Sequence, residues 1–134
     1  MFFQPKKSKY RKVRKGKLTK LNFKSNTLKF GTVGLKSIES GVISVKQLES
    51  ARQAISRKIK RSGKLWLRVQ SFFPVTSKPL EVRMGKGKGN VDYWAVRVQG
   101  GTVLFELCGI KLDIAKAAFK TGAAKLSVKT KVFI

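Results

Sequence analysis

The residues best suited to chemistry in this chain are cations and glycines, in the run Arg83-Met84-Gly85-Lys86-Gly87-Lys88-Gly89-Asn90. Alternate glycines let a backbone approach another surface closely and take up positive φ. The interposed Lys86 and Lys88 offer ammonium donors to phosphate, and Arg83 adds a planar fork at one end. The chemistry is that of a flexible cationic finger laid on a nucleic-acid backbone; a plain connecting loop is the competing reading. The run is not a P-loop, because the G-x-x-x-x-G-K-[ST] spacing is missing. It is not a dinucleotide fingerprint either, since no acidic ribose ligand follows a helix about twenty residues on.

Catalytic material is scarce elsewhere. The chain has no His, which removes the commonest general base and metal ligand. Its single cysteine, Cys108, excludes an internal disulfide or a cysteine zinc cluster and reads as a small buried hydrophobe. The six acids, Glu39, Glu49, Glu81, Asp92, Glu106 and Asp113, form no evident pair for acid–base work. No enzyme activity, cofactor or metal is expected.

What the chain has in quantity is positive charge. Its 134 residues carry 31 Lys and Arg against 6 acids, a net +25. Self-repulsion at that density opposes compaction unless a polyanion neutralises it. Lys6 to Lys17 holds eight cations (Lys6, Lys7, Lys9, Arg11, Lys12, Arg14, Lys15 and Lys17) and no acid. This stretch cannot bury enough apolar surface to fold alone, so residues 1–27 read as an extended arm that orders on RNA. Tyr10, Phe2 and Phe3 among these cations allow base stacking beside phosphate contact. No apolar run approaches the ~18–20 residues of a membrane span, and no membrane partner is expected.

The elements that must position these groups form one domain over residues 28–134. Lys29 to Ile38, with Gly31 and Gly34, suits a bent strand. Val45 to Ser62 is the best helix: Ser44 is the N-cap, Gln47 completes a capping box, and Gly63 closes the end. Its apolar arc, Val45, Leu48, Ala51, Ile55 and Ile59, lies opposite Lys46, Arg57, Lys60 and Arg61. Only Glu49 offers that face a partner, to Arg52 and Lys46, so Arg57, Lys60 and Arg61 are read as RNA contacts rather than a solvated face. Leu65, Leu67 and Val69 alternate as a half-buried strand. Leu80 to Met84 reads as a short strand, and Val91 to Val98 and Thr102 to Leu107 as a hairpin joined at Gly100-Gly101. Leu112 to Ala124 is a second amphipathic helix, in which Gly122 costs about 1 kcal/mol relative to Ala, and Val128 to Phe133 is a last strand. Trp66, Tyr93 and Trp94 are assigned to packing. The sum is an α+β fold, mostly antiparallel sheet with two amphipathic helices, plus a basic N-terminal extension.

Several segments resemble one known family. Pro5-Lys6-Lys7-Ser8-Lys9-Tyr10-Arg11-Lys12, Gln47-Leu48-Glu49-Ser50-Ala51-Arg52, Gly63-Lys64-Leu65-Trp66-Leu67-Arg68-Val69, the block from Lys78 to Asn90, Tyr93-Trp94 and Phe105-Glu106-Leu107 are similar to the bacterial and organellar large-subunit ribosomal protein sixteen family. The likeness runs from about Gln4 to Phe133. It implies a hammerhead-type α+β fold and a structural, non-catalytic place in the large subunit. The implied partners are large-subunit rRNA, the A-site transfer RNA and neighbouring ribosomal proteins, with no homo-oligomer. Arg83, Gly85, Lys86, Gly87, Lys88, Gly89 and Asn90 would face the peptidyl-transferase region, and the arm would thread into rRNA. The chain departs from the family at Cys108, where Asp is common, and at Lys9, Lys17 and Ser56, where the family favours Arg. Nothing like a removable presequence precedes Gln4. That fits a bacterial origin or synthesis inside an organelle better than import with a retained leader, and the lysine bias and divergent loops point to a mitochondrial ribosome, bacterial cytoplasm or plastid being the alternatives. A free-standing cationic nucleic-acid chaperone is the competing function.

Overall fold

The computed structural model describes residues 5–134; Phe2 and Phe3 therefore lie outside the described residues. Among the described residues, seven strands and two helices follow one another as β1 (Val33–Ser37), β2 (Gly41–Ser44), α1 (Val45–Lys58), β3 (Lys64–Leu67), β4 (Phe73–Ser77), β5 (Asn90–Val98), β6 (Val103–Cys108), α2 (Leu112–Ala123) and β7 (Thr130–Phe133). They make two antiparallel sheets, one in the order β3-β6-β1-β7 and the other β2-β5-β4. The α+β class with two helices is as the sequence predicts.

The capping box at α1 forms: the Gln47 N–H donates to Ser44 Oγ at 3.2 Å and the Ser44 N–H to Gln47 Oε1 at 2.9 Å. The apolar arc of α1 faces inward, with Leu48, Ala51, Ile55 and Ile59 buried against Ala115, Ala118 and Phe119 of α2. Val33 and Leu35 from β1, Leu104, Phe105 and Leu107 from β6, and Ile43, Val96 and Val98 from the second sheet complete one core. Gly122 stands at the helix crossing, where a Cβ would meet Ile55 Cγ1 at 2.6 Å. Its cost in helix propensity is the condition for the two helices to approach.

Three local expectations are corrected. First, α1 ends at Lys58, not Ser62. The Lys60 N–H donates to Arg57 O and the Arg61 N–H to Ser56 O, which is a Schellman closure. Lys60 (φ 51°) and Arg61 (φ 61°) take the left-handed conformation there, ahead of Gly63. Second, β5 and β6 do not form a hairpin; they belong to different sheets. Gly100 and Gly101 do make a turn, closed by the Thr102 N–H donating to Gln99 O at 3.1 Å with Gly101 at φ 91°, and they also serve close approach: a Cβ on Gly100 would lie 2.6 Å from Ile38 O, and one on Gly101 2.8 Å from Asn22 O. Third, Leu80–Met84 is no strand. β4 comes earlier, at Phe73–Ser77, with Pro74 tolerated because β4 is an edge strand. Leu80, Val82 and Met84 alternate as a strand would, but no neighbour pairs with them and all three are exposed. β2 was not foreseen.

Candidate nucleic-acid interface

The glycine-lysine loop projects from the end of the second sheet, between β4 and β5. Residues 80–88 are all exposed. Three successive residues have positive φ: Gly85 (92°), Lys86 (52°) and Gly87 (84°). Nothing stands within 4 Å of a Cβ at Gly85 or Gly87. The fold itself thus does not require glycine there for space; it requires it for conformation, and what the bare backbone leaves is room outside. A left-handed lysine is uncommon and costs on the order of 1 kcal/mol. It turns the Lys86 side chain out between two glycines. Lys78 Nζ donates to Gly85 O at 2.5 Å and braces the loop from its base.

The arm carries no helix or strand over residues 5–32, and its cations are exposed. It is nonetheless tied to the body at successive points. Lys12 Nζ donates to Lys88 O at 2.7 Å, and Lys88 Nζ donates back to Val13 O. Arg97 Nη2 donates to Gly16 O at 3.0 Å, the Asn22 N–H to Gly100 O at 2.8 Å, and the Val103 N–H to Ser25 O at 3.0 Å. The order of partners shows that the arm runs alongside the chain from the loop down through β5 and into β6. Tyr10 is 63% exposed, with Lys9 Nζ 5.5 Å from its ring centre. The arm and the loop, 75 residues apart in sequence, thus share one end of the molecule.

Arg57, Lys60 and Arg61 make a second cationic group. They are exposed at the C-terminal end of α1, where the helix dipole favours positive charge. Lys60 and Arg61 reach this group through the closing turn rather than through the helix face. Glu49 accepts from Arg52 and Gln53, not from Lys46. The Arg52 hydrogen bond holds the Glu49 carboxyl below its ordinary range, and Glu49 raises Arg52 in turn. Tyr93, assigned to packing, is 41% exposed. Trp66 is packed as expected, stacked on Phe30 with ring centres 6.1 Å apart.

The residue that sequence reasoning undervalued is Glu106. It is fully buried in the central strand β6. Its carboxylate accepts from the N–H groups of Lys29, Phe30 (2.7 Å) and Gly31 (2.8 Å) and pairs with Arg68. Burial alone would push the Glu106 carboxyl up; the three backbone donors and the Arg68 guanidinium outweigh it, and the group titrates below the ordinary glutamate range. Arg68 also lies over the Phe30 ring at 5.4 Å. This cradle pins the root of the arm to the core. A lone acid inside Val103-Leu104-Phe105-Glu106-Leu107 was the available signal: a charge in an apolar strand needs a buried partner.

This is a strongly basic α+β body in which Glu39, Glu49 and Glu106 are engaged in bonds within the chain while cations stand exposed on arm, loop and helix end, the charge distribution expected of a protein that lies against a polyanion. The chain belongs to the ribosomal protein L16p/L10e family, whose profile matches residues 5–133. It is 52% identical over 127 residues to large ribosomal subunit protein uL16 of Dichelobacter nodosus, covering 95% of this chain and 93% of the relative. It is 52% identical over 128 residues to uL16 of Bartonella henselae (96% and 93% covered) and 50% identical over 127 residues to that of Stenotrophomonas maltophilia (95% and 93% covered). The family consists of structural proteins of the large ribosomal subunit, not enzymes, and the chain is accordingly a ribosomal component of translation.

Proposed function

We propose that this chain binds large-subunit rRNA beside the A-site transfer RNA and shapes the peptidyl-transferase region without performing chemistry. In this reading Lys6, Lys7, Lys9, Arg11, Lys12, Arg14 and Lys15 lie along rRNA phosphates. Arg57, Lys60 and Arg61 hold a second rRNA segment. Arg83 to Asn90 is the finger nearest the transfer RNA. The observation that carries it is the loop itself: nine consecutive exposed residues with three positive φ values around Lys86, a conformation with no purpose in the core. Phosphate contacts of this kind position a protein and do not read sequence. Family membership favours a ribosomal component over a free-standing chaperone. The bacterial relatives fit the bacterial alternative and lend nothing to the mitochondrial one.

The test is Lys86→Ala with Lys88→Ala on reconstituted large subunits. Assembly should proceed, because both residues are exposed. A-site occupancy or peptide-bond formation should fall, and the salt dependence of RNA binding should lessen by roughly one log–log unit per lost contact. Wild-type translation across a salt series would reduce the loop to a connector.

A further inference from the structure

The arm and the loop meet through a pair of reciprocal bonds: Lys12 gives its ammonium to the Lys88 carbonyl, and Lys88 gives its own to the Val13 carbonyl. Both acceptors are neutral. Among the described residues the ion pairs are Arg52–Glu49 and Arg68–Glu106, so neither Glu81 nor Asp92, the nearest acids in sequence to the loop, is paired with these lysines. Two cationic segments are therefore held in contact with their charge uncompensated. An ammonium has three donors, and each clasp bond uses one, leaving the others to the exposed side. Arg11, Arg14 and Lys15 flank the clasp on the arm and Lys86 on the loop, all exposed. Arg97, bonded to Gly16 O at 3.0 Å, fixes the arm immediately beyond.

We infer that Lys12 and Lys88, with the cations beside them, form one composite phosphate site that takes a single stretch of RNA backbone between arm and loop, rather than two sites acting on separate RNA segments. The inference rests on the proposed rRNA binding and adds to it that the two elements are coupled. An anion bridging them removes the mutual repulsion of both segments at once. The clasp holds the arm in place before binding, so less ordering remains to oppose it. Loss of either lysine then disables much of what the other contributes.

The experiment is a double-mutant cycle on the full chain, with Lys12→Ala, Lys88→Ala and the pair, titrated against a large-subunit rRNA transcript at fixed salt. A parallel cycle pairs Lys88→Ala with Lys7→Ala, a cation outside the clasp. Thermal melts establish that all variants fold, which exposed lysines should permit. Each single substitution should weaken binding severalfold. The Lys12/Lys88 double should lose clearly less than the product of the two, while the Lys7/Lys88 double should lose the full product. If the Lys12 and Lys88 effects multiply, the composite site is wrong and the rRNA-binding reading survives. If neither single substitution alters affinity, the rRNA-binding reading of these segments fails as well.

Discussion

Glu106→Gln is the substitution whose consequence the structure defines most closely. The side chain keeps its size, so no cavity forms. One oxygen can still accept, but the new amide N–H₂ must face a donor, either a backbone N–H of Lys29–Gly31 or the Arg68 guanidinium. Arg68, whose side chain is 11% exposed, loses its counter-charge. Breaking one partner of a buried pair costs about 3–5 kcal/mol; Arg68 keeps a narrow path to solvent and its place over Phe30, which puts the expected loss near 3 kcal/mol. Unfolding entropy is about 2.1 cal/mol/K per residue, so for 134 residues the melting temperature should drop roughly 10 °C. Arg68→Met placed on top should recover part of that, because it removes the orphaned charge. A Glu106→Gln variant melting within about 2 °C of the parent at neutral pH would refute the account.

The same residue gives a pH dependence with a fixed sign. Its folded carboxyl titrates below its unfolded value, which is about 4.3. The stability it contributes is complete above that unfolded value and is lost as pH falls through the folded one. Melting temperature should therefore decline on acidification below about pH 4, and more shallowly in Glu106→Gln than in the parent.

Arg57→Ala with Arg61→Ala should weaken rRNA binding while leaving the melt nearly unchanged, whereas Ile55→Ala, fully buried between the helices, should cost about 2–5 kcal/mol; the reverse pattern in melt and RNA titration would mean the faces of α1 are misassigned. Gly122→Ala gains about 1 kcal/mol of helix propensity but drives a methyl into Ile55, an overpacking worth about 1–3 kcal/mol. The melt should stay level or fall, Ile55→Val should relieve it, and a clear rise in the single variant would show that the helices have room.

Local signals were legible where one short segment decides the outcome. The Ser44–Gln47 box, the apolar arc of α1 and the exposed loop all follow from residues within a turn or two of each other. What the sequence concealed depends on segments far apart. Gly100-Gly101 has the composition of a hairpin turn and does turn the chain, but the strands on either side enter different sheets and the glycines also clear Ile38 and Asn22, which no local pattern reveals. Leu80-Glu81-Val82-Arg83-Met84 has strand alternation, but alternation reports a strand only when another edge is there to pair with it. The end of α1 differs from the sequence expectation because Gly63 is the residue type that commonly closes a helix, while the Schellman turn forms earlier on Lys60. The arm's cations were evident as composition; its course past Lys88, Arg97, Gly100 and Val103 was not, because those bonds are between side chain and carbonyl or between single backbone groups.

The charge imbalance itself has an internal logic. Four of the six acids serve the fold: Glu106 gathers the backbone of Lys29–Gly31, Glu39 accepts from the Lys129 N–H at 2.9 Å, Glu49 pairs with Arg52 within α1, and Asp113 sits in the first turn of α2, where negative charge is favourable. Each satisfies a donor or dipole the fold creates. The cations are distributed the other way: Arg52 and Arg68 pair with acids, whereas those named above as RNA contacts donate to backbone carbonyls or, among the described residues, make no hydrogen bond or ion pair. On the proposed reading the two kinds of charge have largely separate duties, the acids organising the chain, two of them through Arg52 and Arg68, and the exposed bases facing the polyanion. Neutralising an acid such as Glu106 should lower stability before it alters RNA affinity, and neutralising Arg57, Lys86 or Lys12 should do the opposite.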